Sequence, residues 1–158
     1  MAGNQRSRRD LLRGIGVGMA ASAMAPAAAC SQDAPRRKLG YAIVGLGSYA
    51  TRQIMPRIRE CRFARLAALV SGTPGKLASY GEEYGIPRTH RYSYAEFDRI
   101  KDNPDIDLVY VVLPNALHAE YAIRASRAGK HVLCEKPMAT SAAEAEAMIG
   151  RRSRRAAS

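Results

Sequence analysis

The stretch Gly45-Leu46-Gly47-Ser48-Tyr49-Ala50 has residue types and a spacing that can do specific chemistry. It follows the pattern G-x-G-x-x-G/A. In that pattern the first glycine permits a tight turn, and the second leaves the backbone bare for a diphosphate. The small last residue lets a helix pack close to a strand. Free amides at the helix start would then face the phosphates. The pattern is weak alone and becomes informative where it closes a strand and opens a helix. Here the short apolar run Tyr41-Ala42-Ile43-Val44 precedes it, and Ile54, Ile58 and Cys61 follow at helical spacing. An ordinary Gly-rich turn is the bland alternative.

A second chemical signal lies after the next apolar run, Leu66 to Val70. A site for NAD would place Asp or Glu there, about twenty residues beyond the glycine turn, to bond the ribose 2′-hydroxyl. This sequence has Ser71-Gly72-Thr73-Pro74-Gly75-Lys76 instead. No carboxylate stands there to repel a 2′-phosphate, Ser71 can donate a hydrogen bond, and Lys76 supplies positive charge. The expected cofactor is therefore NADP, with NAD less favoured. The plain reading is a turn-forming Ser71 and a solvated Lys76.

These residues need a scaffold, and the pattern supplies one. Leu39 to Gly45 reads as a buried strand. Ser48 to Glu60 reads as a helix that Pro56 must kink or confine to its first turn. After the second strand, Lys76 to Tyr84 reads as a helix ended by Gly85 and Pro87, and His90 to Tyr92 as a short third strand. Ser93 and Glu96 form a capping box for a helix through Ile100, and Asn103-Pro104 a turn. Asp107 to Leu113 is apolar on both faces and β-branched, as a central parallel strand should be. Leu117 to Ala128 is a helix capped by Gly129, and His131 to Cys134 a strand. Ser141 and Glu144 box a last helix through Ile149. Strand alternating with helix predicts the α/β class: a doubly wound parallel sheet of Rossmann type.

The chain has 158 residues, enough for one domain, and is 47% apolar, which suffices for a core. Its formal charge is +11, but the arginines of residues 1–30 and 151–158 carry more than half of it. No aromatic-interleaved basic stripe appears in the rest, which argues against a nucleic-acid partner. Three scattered Cys exclude a disulfide scaffold and a four-cysteine zinc site, and no metal-ligand spacing is seen. Cys134, in a buried strand, reads as an inert small apolar residue.

Residues 1–30 read as an export signal. Ser7-Arg8-Arg9-Asp10-Leu11-Leu12 fits the twin-arginine pattern, and the uncharged, Gly- and Ala-rich run Gly14 to Ala29 suits a signal core. This implies the twin-arginine machinery as a partner and a periplasmic location. Cys30, directly after Pro26-Ala27-Ala28-Ala29, is a candidate for a lipid anchor. A disordered basic terminus is the alternative. Residues 31–38 read as a polar linker, 39–150 as the nucleotide-binding domain, and 151–158 as a basic tail.

Tyr41-Ala-Ile-Val-Gly-Leu-Gly-Ser48, Val70-Ser-Gly72, Leu113-Pro-Asn-Ala-Leu-His118 and Cys134-Glu-Lys-Pro137 occur in that order. Together they resemble the Gfo/Idh/MocA family (glucose–fructose oxidoreductase and inositol dehydrogenase), and within it the exported glucose–fructose oxidoreductase branch. The resemblance spans residues 39–149. It implies a cofactor site of Gly45, Leu46, Gly47, Ser48, Tyr49, Ser71, Lys76, Tyr94, Leu113, Asn115, His118, Glu135 and Lys136. Ser71, Lys76 and Tyr94 would hold the 2′-phosphate, and His118 would face the nicotinamide side. Pro137 would follow an often cis bond that presents Lys136, the catalytic residue, towards nicotinamide and a sugar substrate. Ligands of open α/β sheets bind beyond the carboxyl ends of the strands, where Gly45, Ser71, Leu113 and Glu135 fall. Lys136 there could stabilise charge developing on a sugar oxygen. The alternatives are a solvated lysine for Lys136 and a capping or core histidine for His118.

Family members continue into a second α/β domain that supplies the acid–base residue and most of the sugar pocket, and they are homo-oligomers. This sequence stops after the fifth helix. The expectation therefore divides. One reading is an NADP-dependent oxidoreductase acting on sugars, present as its nucleotide-binding domain. The other is a truncated, non-catalytic nucleotide-binding module. A third, an exported scaffold without cofactor, is opposed by the intact glycine turn. Bound nicotinamide with or without sugar oxidation separates them.

Overall fold

The computed structural model describes residues 37–155, with side chains through residue 150. The export signal, Cys30 and most of the linker lie outside the described residues. Five strands form one parallel sheet: β1 (Leu39–Val44), β2 (Ala64–Val70), β3 (Arg91–Tyr92), β4 (Leu108–Val111) and β5 (His131–Cys134). The spatial order is β3-β2-β1-β4-β5. Four α-helices alternate with them: α1 (Met55–Glu60), α2 (Pro74–Glu83), α3 (His118–Arg127) and α4 (Ala142–Arg155). This is the doubly wound arrangement that the alternation predicts. None of the described helices is long and apolar enough to cross a membrane.

The core follows from alternation along the strands. Ala42 and Val44 of β1 point to one side of the sheet, where they join Val70, Val109, Val111, Phe97, Ile100 and residues of α3. Ile43 points to the other, where it joins Leu69, Leu46, Met55 and Ile58. Both faces of the central strands are thus covered, which a parallel sheet requires because its crossover helices lie on either side. Chain order reverses about β1, which pairs with β2 on one side and β4 on the other. The crevice beyond the carboxyl ends at that switch point is where such sheets take ligands.

Four local details differ from the sequence reading. The helix entering α1 carries a π-helical turn at Ala50–Ile54, in which Met55 N–H donates to the Ala50 carbonyl. Pro56 would press its ring on the Arg52 carbonyl in a regular ladder, and the wider turn relieves this while leaving Pro56 in the first turn of α1. The Ser93–Glu96 box forms reciprocally, with Ser93 Oγ donating to Glu96 at 2.9 Å and Glu96 N–H to Ser93 Oγ at 3.3 Å. The helix it opens, however, is a 3-10 helix, Phe97–Asp102, and not an α-helix. That helix is cut short where the Asn103 side chain takes Asp105 N–H at 2.9 Å. A 3-10 turn, Asn115–Leu117, precedes α3. Finally, α4 runs on to Arg155, so residues 151–155 continue the helix where the sequence reads as a tail.

Hydrogen bonds beyond the strand ends hold the carboxyl edge in register. Gly45 N–H donates to Val70 O (3.0 Å), Val112 N–H to Val44 O (2.8 Å), Ser71 N–H to Tyr92 O (3.1 Å) and Glu135 N–H to Val111 O (3.0 Å). The segments leaving β1, β2, β4 and β5 are thereby each fixed to the end of a neighbouring strand before any ligand is considered.

Candidate functional site

The glycine turn leaves β1 in the centre of that edge. Gly45 has φ +96°, and a Cβ there would lie 2.2 Å from the Val112 carbonyl oxygen. Only glycine meets both conditions, so the turn is pressed against the segment leaving β4. Gly47 is the opposite case. It is exposed, its φ lies outside the left-handed region, and a Cβ would meet nothing within 4 Å. The space beside it is open. The first bond of the following helix runs from Thr51 N–H to Gly47 O at 3.0 Å. The amides of Ser48, Tyr49 and Ala50 come before it, at the helix end that favours anions. Leu46 and Ala50 are buried beneath, so the turn offers backbone outward and anchors itself by side chains.

The segment between β2 and α2 forms the adjacent wall. Ser71 is buried and its Oγ accepts Thr73 N–H at 3.2 Å, shaping the loop as a hydroxyl turn. Lys76, in the first turn of α2, reaches back so that Nζ donates to the Leu46 carbonyl at 2.9 Å. Its positive charge therefore lies at the glycine turn, and no carboxylate occurs from Ser71 to Lys76. Tyr94 packs its ring on Gly72, where a Cβ would come within 3.1 Å of two ring carbons. It also tilts against Tyr121 at 5.5 Å between centroids. Burial and the neighbouring Tyr121 raise the Tyr94 hydroxyl above its ordinary range, against a Gly72 N–H that favours the anion. Tyr94 is then a neutral phenol holding the loop. The open space at Gly47, the flanking amides and the cation at Leu46 suit a dinucleotide with an added phosphate.

The third wall comprises the exits of β4 and β5. The Lys136–Pro137 peptide is cis. Lys136 is exposed and has its backbone N–H on the Glu135 carboxylate at 3.3 Å. Glu135 also accepts a short hydrogen bond from the Tyr110 hydroxyl. Burial first, and then that carboxylate, push the Tyr110 hydroxyl far up, so it stays a donor. Asn115 is exposed at the start of its 3-10 turn, and Leu113 is buried with its side chain against the glycine turn, where Cδ2 would lie 2.9 Å from a Cβ at Gly45. Burial raises the Cys134 thiol, with Glu135 adding to it, as befits an inert residue.

His118 requires a correction. The sequence motif places it one turn into a helix facing the cofactor, but the structure buries it completely as the first residue of α3. Nδ1 lies 2.7 Å from the Pro137 carbonyl and Nε2 lies 2.8 Å from the Leu113 carbonyl. With both ring nitrogens against protein carbonyls and no surface exposed, His118 takes the core position that the sequence leaves open as the alternative. Sequence reasoning also passed over Tyr110. A tyrosine within a buried parallel strand needs a partner for its hydroxyl, and the carboxylate one strand over, at Glu135, was the available signal.

The remaining sequence-derived residues, Gly45, Leu46, Gly47, Ser48, Tyr49, Ser71, Lys76, Tyr94, Leu113, Asn115, Glu135 and Lys136, gather along the carboxyl edge. Comparison with known proteins bears on what gathers them. The family model for the Gfo/Idh/MocA oxidoreductases, with an NAD-binding Rossmann fold, matches residues 39–156. The uncharacterized oxidoreductase ORF334 of Rhizobium meliloti is 36% identical over 114 residues, covering 72% of this chain and 33% of that protein. Among solved structures, aldose–aldose oxidoreductase from Caulobacter crescentus, complexed with glycerol, is similar with a TM-score of 0.73 and 68% identity. The match covers 75% of this chain and 35% of that one. A 3-ketoreductase from Actinomadura kijaniata in complex with NADP is similar with a TM-score of 0.67 and 30% identity, over 75% of this chain and 36% of that one. The chain spans about a third of the length of these relatives.

Proposed function

Because this chain belongs to the Gfo/Idh/MocA oxidoreductase family, we propose that it is the nucleotide-binding part of an NADP-dependent oxidoreductase acting on sugars. The observation that carries the reading is the glycine turn: open space at Gly47, anion-favouring amides after it, and Lys76 Nζ on the Leu46 carbonyl. The NADP bound by the Actinomadura kijaniata relative and the aldose chemistry named for the Caulobacter crescentus relative support it.

When bound, the nicotinamide gives or takes a hydride. The chain's own residues do the rest. Amides of Ser48 and Tyr49 bond the diphosphate. Lys76 exchanges the Leu46 carbonyl for the 2′-phosphate, a stronger acceptor because it is charged, and Ser71 and Tyr94 hold the wall beside it. Asn115 and the Leu113 backbone border the nicotinamide end. Lys136 bonds a sugar hydroxyl through its exposed ammonium and stabilises negative charge developing on that oxygen.

The test is to purify the chain and measure NADPH binding by nicotinamide fluorescence, alongside oxidation of aldoses. Saturable binding supports the reading, and binding without turnover assigns the acid–base step to groups outside these residues. Absence of binding overturns it. We further infer that Arg8 and Arg9 direct twin-arginine export to the periplasm, and that the functional protein is a homo-oligomer. Fractionation of cells carrying the chain with Arg8 and Arg9 changed to Lys tests the first. Retention in the cytoplasm is expected, and unchanged export refutes it.

A further inference from the structure

His118 is a fully buried polar side chain that the binding reading leaves without a task. Its ring spans two loops that the sheet does not join. Nε2 meets the Leu113 carbonyl, where the chain leaves β4, and Nδ1 meets the Pro137 carbonyl, beyond β5. Both partners can only accept, so the ring donates to both when doubly protonated and to one when neutral. With a proton on each nitrogen the ring joins the two loops; with one it bonds a single loop and sets a lone pair against the other carbonyl. The strand ladder ends at Glu135 N–H on Val111 O. Past it, the Cys134 thiol approaches the Met138 carbonyl only at 3.9 Å.

Lys136 sits between two fixed points. On one side Glu135 is held by the Tyr110 hydroxyl, and on the other Pro137 is held by His118. The Lys136 side chain between them is exposed. We infer that His118 is a positioning residue: its ring bridges the Leu113 and Pro137 carbonyls and so fixes the backbone that presents Lys136. This rests on the proposed role of Lys136. Without the bridge, the segment from Lys136 to Met138 detaches from the β4 exit, and the crevice loses its nicotinamide-side wall. The 2′-phosphate wall at Lys76 belongs to other strands and stays as it is.

The test compares the full chain with His118→Phe, which keeps a ring of similar volume and removes both bonds, and His118→Gln, which keeps one donor group. Amide hydrogen exchange reads the loop directly. Titration with NADPH and with 2′-phospho-ADP-ribose, which lacks nicotinamide, reads the crevice. In His118→Phe, exchange at Glu135, whose N–H lies on Val111 O at the start of this segment, should rise about tenfold while Ile43 and Val109 stay unchanged. NADPH should bind about tenfold more weakly, 2′-phospho-ADP-ribose should bind as before, and His118→Gln should fall between. Unchanged exchange at Glu135, a uniform rise across the sheet, or equal weakening of both nucleotides overturns the inference. If His118→Phe does not fold, the same readouts on His118→Gln decide. A native chain that binds neither nucleotide refutes the proposed function instead, and the exchange comparison then decides the bridge alone.

Discussion

Gly45 and Gly47, two residues apart, should respond to substitution in opposite ways. At Gly47 a side chain enters open space without backbone strain, since nothing lies within 4 Å of its Cβ position. Gly47→Val should therefore leave stability within about 0.5 kcal/mol of the native chain, as for an uncrowded surface change. The valine branches would occupy the space through which a diphosphate reaches the Ser48 and Tyr49 amides. Hydrogen bonds to a charged group contribute about 1.5–3 kcal/mol each, so losing one or two weakens NADPH by about a hundredfold. At Gly45, φ is +96° and the Cβ would sit 2.2 Å from the Val112 carbonyl oxygen. A non-glycine residue there carries about 1–3 kcal/mol of backbone strain before the overlap is relieved. Gly45→Ala should cost about 3 kcal/mol or more, with binding lost as a consequence. Urea unfolding and fluorescence titration of both variants separate the effects. Undiminished NADPH affinity in Gly47→Val, or a loss of stability there equal to that of Gly45→Ala, would refute a diphosphate at the glycine turn.

Lys76→Ala should weaken NADP about tenfold or more, the scale of one charge-assisted bond, and NAD far less; equal losses in parallel titrations would remove the 2′-phosphate from this wall. Asp107 provides the pH test. Burial pushes its carboxyl up, but Gly40 N–H at 2.7 Å and the Arg37 guanidinium outweigh this and hold it below its ordinary value. A depressed carboxylate stabilises the fold above its unfolded value of about 3.9, and the contribution is lost as pH falls through the folded value. Asp107→Asn should thus be less stable than the native chain at pH 7 by urea midpoint, with the gap closing below about pH 4; a gap constant with pH would contradict it.

The sheet was legible because each strand carries its own signal. Val109 and Val111 are β-branched and buried, and His131 to Cys134 is a short run bounded by Gly129 and Pro137. Gly129, at φ +82°, ends α3 where the sequence places a cap, with Lys130 N–H on Ala125 O at 3.1 Å. The misreadings share a cause, which is that the deciding contact is distant in sequence. Helical spacing puts His118 on α3, but whether its ring meets solvent or core depends on the Pro137 carbonyl nineteen residues away. The link of Lys76 to Leu46 spans thirty residues and that of Tyr110 to Glu135 twenty-five. The Ser93–Glu96 box was readable because it is local, whereas the helix after it ends early, where Asn103 turns the chain back.

The central position of β1 shapes how this chain must be made. Its pairing with the β2 side closes early in synthesis, but the partner on its other side lies far downstream: Gly40 bonds Asp107 across sixty-seven residues. Until Val111 has emerged from the ribosome, the strand that ends in the glycine turn has one bare edge, and Gly45 has no Val112 to rest against. A nascent chain that stalls between α2 and β4 is thus an adhesive half-sheet. Closure of the sheet therefore waits on β4, a long-range parallel pairing whose loop entropy must be overcome before its contacts form.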